Sequence, residues 1–178
     1  DSFLTMGLDG FAEYLVRRFA LETGAGDVAA SMLDQALCLH RSGVCFKPHA
    51  REFLETAHGR GLSLGIATST PRVLVEAFLE AQQATGLFSA LSFCDELGVS
   101  KAQPDVYLDA ARQLGEPIEC CLIFEDAMPS LRTAARTGAR TVAVLEQHTR
   151  QDEEEMARLA DVVIDDYRDA LALLRAPA

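Results

Sequence analysis

Three groups of polar side chains stand directly after apolar segments of the sequence, and their chemistry is complementary. The groups are the hydroxyls, the ammonium and the carboxylates of Thr68, Ser69, Lys101, Glu125 and Asp126. Hydroxyls and an ammonium can hold phosphoryl oxygens, and neighbouring carboxylates suit a hard divalent cation such as Mg²⁺. Together they are the groups that a phosphoryl-transfer site needs.

The pair Glu125 and Asp126 is the strongest of these features. Asp126 could serve as the N-cap of a following helix. That explanation accounts for Asp126 but not for Glu125. Mg²⁺ prefers oxygen ligands, and its charge would relieve the repulsion between adjacent carboxylates. The pair therefore predicts a magnesium site at residues 125 and 126.

The other two features each have a simpler structural explanation. Thr70 could cap a helix that begins at Pro71, and Lys101 could be an ordinary solvated lysine. The spacing favours function, because the intervals are 33 residues (68 to 101) and 25 residues (101 to 126), each about one βα unit or slightly more. All three features then lie at the carboxyl edge of one predicted parallel sheet.

The elements that must position these residues alternate along the chain. Apolar runs typical of buried strands occur at 62–67, 90–94, 120–124, 141–145 and 161–164, and helical periodicity fills the intervals. This alternation predicts an α/β fold, a Rossmann-like doubly wound parallel sheet over residues 48–178, with residues 1–47 as a separate helical domain. Ligands of such sheets bind at the carboxyl ends of the strands.

Composition limits the partners and the compartment. The 178 residues carry a net charge of −11 without a basic stripe, which argues against nucleic acid. An odd count of five cysteines without a CxxC pair favours a reducing cytoplasm. No apolar stretch approaches the roughly 20 residues that would span a membrane. We expect a small-molecule enzyme that is a monomer or a weak dimer.

As a set, these motifs resemble those of the haloacid dehalogenase superfamily, on its phosphatase and phosphomutase side, over about residues 45–174. Thr68 in GIATST is similar to the second motif, Lys101 in VSKAQPDVY to the third, and Glu125-Asp126 in IFEDA to the fourth. Gln103 and Ala127 are mild departures from the usual sequences of these motifs. β-Phosphoglucomutase and phosphoglycolate phosphatase are the kinds of member that the sequence resembles.

The resemblance implies a mechanism. An aspartate of the first motif attacks the phosphoryl group and forms an aspartyl-phosphate, while a second aspartate acts as general acid and base. Thr68, with Ser69 beside it, holds a phosphoryl oxygen, and Lys101 neutralises the developing charge. Glu125 and Asp126 bind Mg²⁺. The implied activity is Mg²⁺-dependent hydrolysis of a small phosphorylated metabolite, such as a sugar phosphate or a phosphoglycolate-like compound.

The first motif, DxDGT, has no match in the sequence. Asp9-Gly10 in MGLDGFAEYL is similar instead to the substrate-specificity loop of the family's helical cap, so residues 1–47 are expected to be the later part of that cap. We therefore expect this chain to begin inside a longer protein and to be inactive alone. A sheet without its first, central strand should show a gap in its middle, with unpaired backbone groups on the neighbouring strands.

Other functions of the same fold remain open at this point. A phosphomutase would isomerise a sugar phosphate without releasing phosphate. The sugar phosphomutases that the sequence resembles have an arginine in the cap loop where this chain has Gly10, which favours hydrolysis. A haloalkanoic acid dehalogenase needs no metal, which disagrees with the paired acids. A relative that binds phosphate without catalysis would lack the nucleophile altogether.

Overall fold

The computed structural model describes residues 7–147 and 149–174. Its α-helices are α1 (Leu8–Phe19), α2 (Ala25–Ser42), α3 (Ala50–Gly59), α4 (Arg72–Ala81), α5 (Cys94–Leu97), α6 (Asp105–Leu114), α7 (Met128–Ala134), α8 (Glu153–Leu159) and α9 (Tyr167–Leu173). Its strands are β1 (Gly65–Thr68), β2 (Ala90–Phe93), β3 (Leu122–Glu125), β4 (Arg140–Val144) and β5 (Val162–Ile164).

All of these strands pair in parallel, which confirms the predicted α/β fold class. β1 pairs with β2, and β4 lies between β3 and β5. Each predicted apolar run contains a strand, but the strand at 120–124 begins later than expected. Residues Ile118–Cys120 form a 3₁₀ turn, in which Cys120 donates its N–H to the Pro117 carbonyl at 2.9 Å, so β3 runs from Leu122 and includes Glu125.

Helices cover both faces of the three-stranded sheet, as a doubly wound fold requires. Val142 and Val144 of β4 pack with Phe53 of α3 and Ala170 of α9. On the other face, β4 contributes Ala143 to a core that α7 and α8 complete; the helical members of that core are Met128, Leu131 and Met156. Because side chains alternate along a strand, the continuous apolar run of β4 supplies both cores at once.

β1 and β3 belong to separate sheets, and no described strand joins them. Ala67 of β1 and Ile123 of β3 nevertheless pack against the same buried cluster, whose members are Cys94, Val106, Tyr107 and Ala134. Among the described residues, the gap expected in the middle of the sheet therefore lies between the strands that carry Thr68 and Glu125, and shared packing holds these two strands near one another.

The chain divides into two compact units. One contains the residues up to Cys45 together with Ser69–Thr85, and the other contains Phe46–Thr68 with Gly86–Ala178. Within the first unit, α2 packs against both α1 and α4. All five strands lie in the second unit. The assignment of 1–47 as a partial cap and 48–178 as the catalytic core stays a prediction.

The loop predicted for MGLDGF is helical where the structure describes it. Met6 lies outside the described residues, Gly7 is the N-cap of α1, and the helix begins at Leu8. Asp9 lies in the first turn, where the partial positive charge of the helix N-terminus favours an acid. The similarity to the specificity loop of the cap stays a prediction, and the helical character expected of residues 1–47 is present from Leu8 onward. The N-cap of α4 also differs from expectation, since Pro71 holds that position instead of Thr70.

The core on the α7 side can be tested by paired substitutions. Leu131 is fully buried, whereas Leu108 on α6 is 43% exposed. We expect Leu131→Ala to lower the free energy of unfolding by about 2–5 kcal/mol, because it removes buried methyl groups and leaves a cavity. Leu108→Ala should change it by less than about 0.5 kcal/mol. Urea denaturation checks both, and equal losses would contradict the packing described here.

Acid should weaken the start of α9 in a defined pH window. Asp166 caps this helix by accepting the Arg168 N–H at 2.8 Å, and His49 lies 2.8 Å from its carboxylate. These hydrogen bonds and charges, led by those of Arg168, lower the pKa of Asp166 to about 2. Since the unfolded pKa is about 3.9, the stabilisation is complete above that pH and is lost as pH falls towards 2.

Asp166→Asn keeps a capping oxygen but removes the charge. We expect the wild type to have the higher urea midpoint at pH 6, and the difference to shrink progressively below about pH 4. A difference that stays constant down to pH 3 would contradict the lowered pKa.

Candidate active site

The adjacent acids at the end of β3 point to opposite faces of the sheet. Phe124, one residue earlier, packs on Phe53 with ring centroids 5.2 Å apart, on the α3 side. Ile123 packs on the other face with the cluster that includes Tyr107. Glu125 follows Ile123 in the alternation of the strand, and its carboxylate accordingly meets Tyr107. Asp126, the next residue, meets the segment that leads into α3.

Glu125 forms a buried charged pair with Lys101. The Lys101 ammonium lies 2.6 Å from Oε1 of Glu125, and the Tyr107 hydroxyl donates to the same oxygen at 2.8 Å. Lys101 stands in the turn before α6, and Tyr107 lies in the first turns of that helix. The second carboxylate oxygen, Oε2, takes part in neither bond. The third and fourth motifs are thereby joined in space, as the sequence predicts.

Burial raises the pKa of the Tyr107 hydroxyl, and the negative charge of Glu125 raises it further. The hydroxyl therefore stays protonated at neutral pH and acts as a donor. The sequence assigns no role to Tyr107 beyond its place in VSKAQPDVY. Its role at Glu125 depends on a contact across 18 residues of chain that periodicity does not reveal.

Asp126 is held by a second lysine that sequence reasoning missed. The Lys47 ammonium lies 3.0 Å from Oδ2 of Asp126 and 2.5 Å from Oε1 of Glu146, just beyond β4. Lys47 precedes α3 and is 79 residues from Asp126 along the chain, so no local pattern connects them. Composition carried one signal: the chain has only two lysines, at 47 and 101, and both contact the acid pair.

Charge and hydrogen bonding keep this second cluster ionised. Burial disfavours the charged carboxylate of Asp126, but the hydrogen bond and positive charge of Lys47 outweigh it, so the pKa of Asp126 lies below its ordinary value. Burial also disfavours the charged ammonium of Lys47, yet the hydrogen bonds of Glu146 and Asp126 raise its pKa overall. At neutral pH Asp126 is thus ionised and lies beside the Lys47 ammonium.

Asp126 does not cap the following helix. The N-cap of α7 is Ala127, without a side-chain capping bond, and Asp126 instead faces Lys47. The simplest structural explanation for one of the two acids therefore fails, which leaves the acid available for binding.

Thr68 is the last residue of β1, opposite Phe93 in the register with β2, and is partly buried. Ser69 follows in a bend and is exposed. The ion pairs of the site connect lysines to acids and include neither hydroxyl residue. The shared packing of Ala67 and Ile123 brings β1 near β3. The assignment of Thr68 and Ser69 to phosphate stays a prediction.

The donor chemistry of the acid pair fits Mg²⁺. No group of three or more His, Cys, Asp or Glu side chains within the described ranges could hold a metal alone. Mg²⁺ is commonly held by one or two carboxylates, with substrate phosphate and water completing its oxygen shell. Asp126 offers an ionised, partly exposed carboxylate, and Glu125 has an oxygen that neither Lys101 nor Tyr107 engages.

Comparison with known proteins identifies the family. Residues 8–138 match the description "haloacid dehalogenase-like hydrolase". The chain belongs to the haloacid dehalogenase-like hydrolases. Protein CbbY of Rhodobacter capsulatus is 38% identical over 109 residues, which cover 60% of this chain and 48% of that protein. Hexitol phosphatase B of Escherichia coli K12 is 26% identical over 146 residues, which cover 82% of this chain and 65% of that protein.

The solved structures agree with this membership. CbbY from Rhodobacter sphaeroides in complex with phosphate superposes with a TM-score of 0.76 at 26% identity, covering 92% of this chain and 74% of that one. A mutant of the same protein has been solved with xylulose-1,5-bisphosphate. The chain thus spans about half to two thirds of the length of the two sequence relatives.

Tyr107 can be tested by removal of its hydroxyl alone. Tyr107→Phe deletes a buried hydrogen bond to a charged group, and we expect a loss of about 1.5–3 kcal/mol in the free energy of unfolding. Tyr167→Phe is the matched control, because it keeps the ring contacts with Phe53 and Phe124 and does not touch the Lys101–Glu125 pair. Urea denaturation of both variants is the measurement, and a larger loss in the control would count against the role of Tyr107.

Proposed function

We propose that the intact protein is a Mg²⁺-dependent phosphatase that hydrolyses a small phosphorylated metabolite. The observation that carries the proposal is the end of β3, where adjacent acids each meet a lysine. An acidic protein that binds a phosphate ester needs local positive charge, and this chain places both of its lysines at one strand end. Membership of the haloacid dehalogenase-like hydrolases supports the same reaction class.

The proposed roles follow from position and charge. Lys101, anchored on buried Glu125, would neutralise the negative charge that develops on the phosphoryl oxygens. Thr68 at the end of β1, with Ser69, would donate hydrogen bonds to a phosphoryl oxygen. Glu125 and Asp126 would hold Mg²⁺, which when bound supplies charge neutralisation at the phosphate. Tyr107 would keep the Glu125 carboxylate oriented.

We propose that the reaction passes through an aspartyl-phosphate. Within residues 1–178 no DxDGT motif provides the nucleophile, so the attacking aspartate would come from another part of the intact protein. The chain's own contribution is then to bind, orient and neutralise the phosphoryl group while that aspartate attacks.

A sugar phosphate or sugar bisphosphate is the substrate class that we favour. A relative at 26% identity is named hexitol phosphatase B, and the structural relative CbbY binds xylulose-1,5-bisphosphate in its mutant form. Both names describe hydrolysis or binding of phosphorylated sugars by those proteins. Sugar isomerisation is the second candidate, since phosphomutases resemble the same motifs, and release of inorganic phosphate distinguishes the two reactions.

The five cysteines are all free and lie in the described part of the chain. Free thiols persist in a reducing compartment, and we therefore propose a cytoplasmic location. Among the described helices, none has the length and apolar character to cross a bilayer.

The test is phosphate release by the intact protein from a panel of hexitol, pentose and glycolate phosphates, with Mg²⁺ and with EDTA. We expect turnover that EDTA abolishes, and Lys101→Met should lower kcat by about 10²–10³-fold, because a positioned charge at the phosphoryl group is lost. Arg158→Met is the control, since it removes an exposed cation that pairs only with its helix neighbour Glu154. It should leave kcat unchanged.

Turnover that persists in EDTA would contradict the metal assignment and favour dehalogenase-like chemistry. An isomerised product without free phosphate would replace the phosphatase by a mutase. Full activity of Lys101→Met would remove the central role given to Lys101.

A further inference from the structure

Lys47 occupies a position that the proposed reaction does not require. Its ammonium lies 3.0 Å from Asp126 and 2.5 Å from Glu146, so one cation bridges two carboxylates at the ends of neighbouring strands β3 and β4. Lys101 already supplies positive charge on the other side of β3. Since the chain has no third lysine, the second one needs a separate explanation.

We propose that Lys47 is an internal counter-ion that competes with the divalent cation for Asp126 and so sets the metal affinity of the site. This inference rests on the proposed function, which assigns the metal to the acid pair. A divalent cation bound at Asp126 would lie within a few ångströms of the Lys47 ammonium, and like charges at such a distance repel. The partial burial of both side chains limits screening by solvent and salt.

Glu146 determines how strongly Lys47 competes. Its Oε1 lies closer to the ammonium than the Asp126 oxygen does, so Lys47 is shared between two acids. When metal occupies Asp126, Glu146 remains as a partner for the displaced ammonium. Lys47 can therefore release Asp126 without leaving a partly buried charge unpaired.

The environment of Lys47 fixes it at this place. Pro48 follows it and restricts the backbone of Lys47 to extended conformations. The Lys47 carbonyl accepts the N–H of Ala50, and His49 is bound to Asp166 at the start of α9. The segment that carries the ammonium is thus held by a turn at the start of α3 and by a contact with the N-cap of α9, which fixes where the Lys47 side chain begins.

Two substitutions should change metal affinity in opposite directions. Lys47→Met removes the competing charge and should tighten Mn²⁺ binding about tenfold. Glu146→Gln removes the charge of the second carboxylate that pairs with Lys47. Lys47 then pairs with Asp126 alone, and Mn²⁺ binding should weaken severalfold. In the double variant the effect of Glu146→Gln should largely disappear, because it acts through Lys47. Lys47→Arg keeps a cation and should remain near wild type.

The measurement is Mn²⁺ titration of the intact protein followed by electron paramagnetic resonance, which reads bound metal without any turnover. Equal or weaker binding by Lys47→Met, with Mn²⁺ still bound by the wild type, would overturn the inference and leave the metal site intact. A full effect of Glu146→Gln in the Lys47→Met background would make Glu146 a metal ligand and would also overturn it. Absence of Mn²⁺ binding in both the wild type and Lys47→Met would refute the metal assignment of the proposed function itself.

Discussion

The arrangement of the site depends on one electrostatic problem, which is that two carboxylates follow each other at the end of a strand. The alternation of side chains along β3 sends them to opposite faces, and each face provides one ammonium. Lys101 meets Glu125 from the side of α6, and Lys47 meets Asp126 from the side of α3. The repulsion that the sequence suggested a metal must relieve is therefore already balanced within the protein. A metal would join acids that already have cationic partners, not an open pair of like charges.

Apolar packing around β3 holds the two carboxylates where they meet the lysines. Phe124, adjacent to Glu125, is fixed between the rings of Phe53 and Tyr167, with centroids 5.2 and 6.0 Å away. Ile123 is fixed in the cluster on the opposite face. Since apolar packing on both sides leaves the strand little freedom to rotate, the carboxylates that end it have defined directions. Apolar packing thereby fixes the direction of the carboxylates. This is the preorganisation that a phosphate-binding site needs.

Much of the fold could be predicted from the sequence because its signals are local. The apolar runs and the periodic helices between them are visible within windows of a dozen residues, and the strands were found within a few residues of their true ends. Boundaries failed where a competing local structure formed, as in the 3₁₀ turn that delays β3. The helix that begins at Leu8 lies in the segment expected to be helical.

The site was only half predictable. Lys101 and Glu125 lie in recognisable motifs, and the family resemblance places both residues at one site. Lys47, Glu146 and the hydroxyl of Tyr107 depend on which faces of distant elements meet, and that information is absent from any short stretch. The rarity of lysine was a compositional clue, but composition alone does not predict where the two lysines lie in the folded protein.

The contacts at the strand end join positions 24 and 79 residues apart, from segments on opposite faces of the same sheet. Neither lysine can reach its carboxylate until the helices that follow them have packed. Assembly of the charged cluster and cooperative folding of this unit are consequently the same event. Partial unfolding would not produce molecules with a weakened site; it would divide the population into competent molecules and molecules that have no site at all.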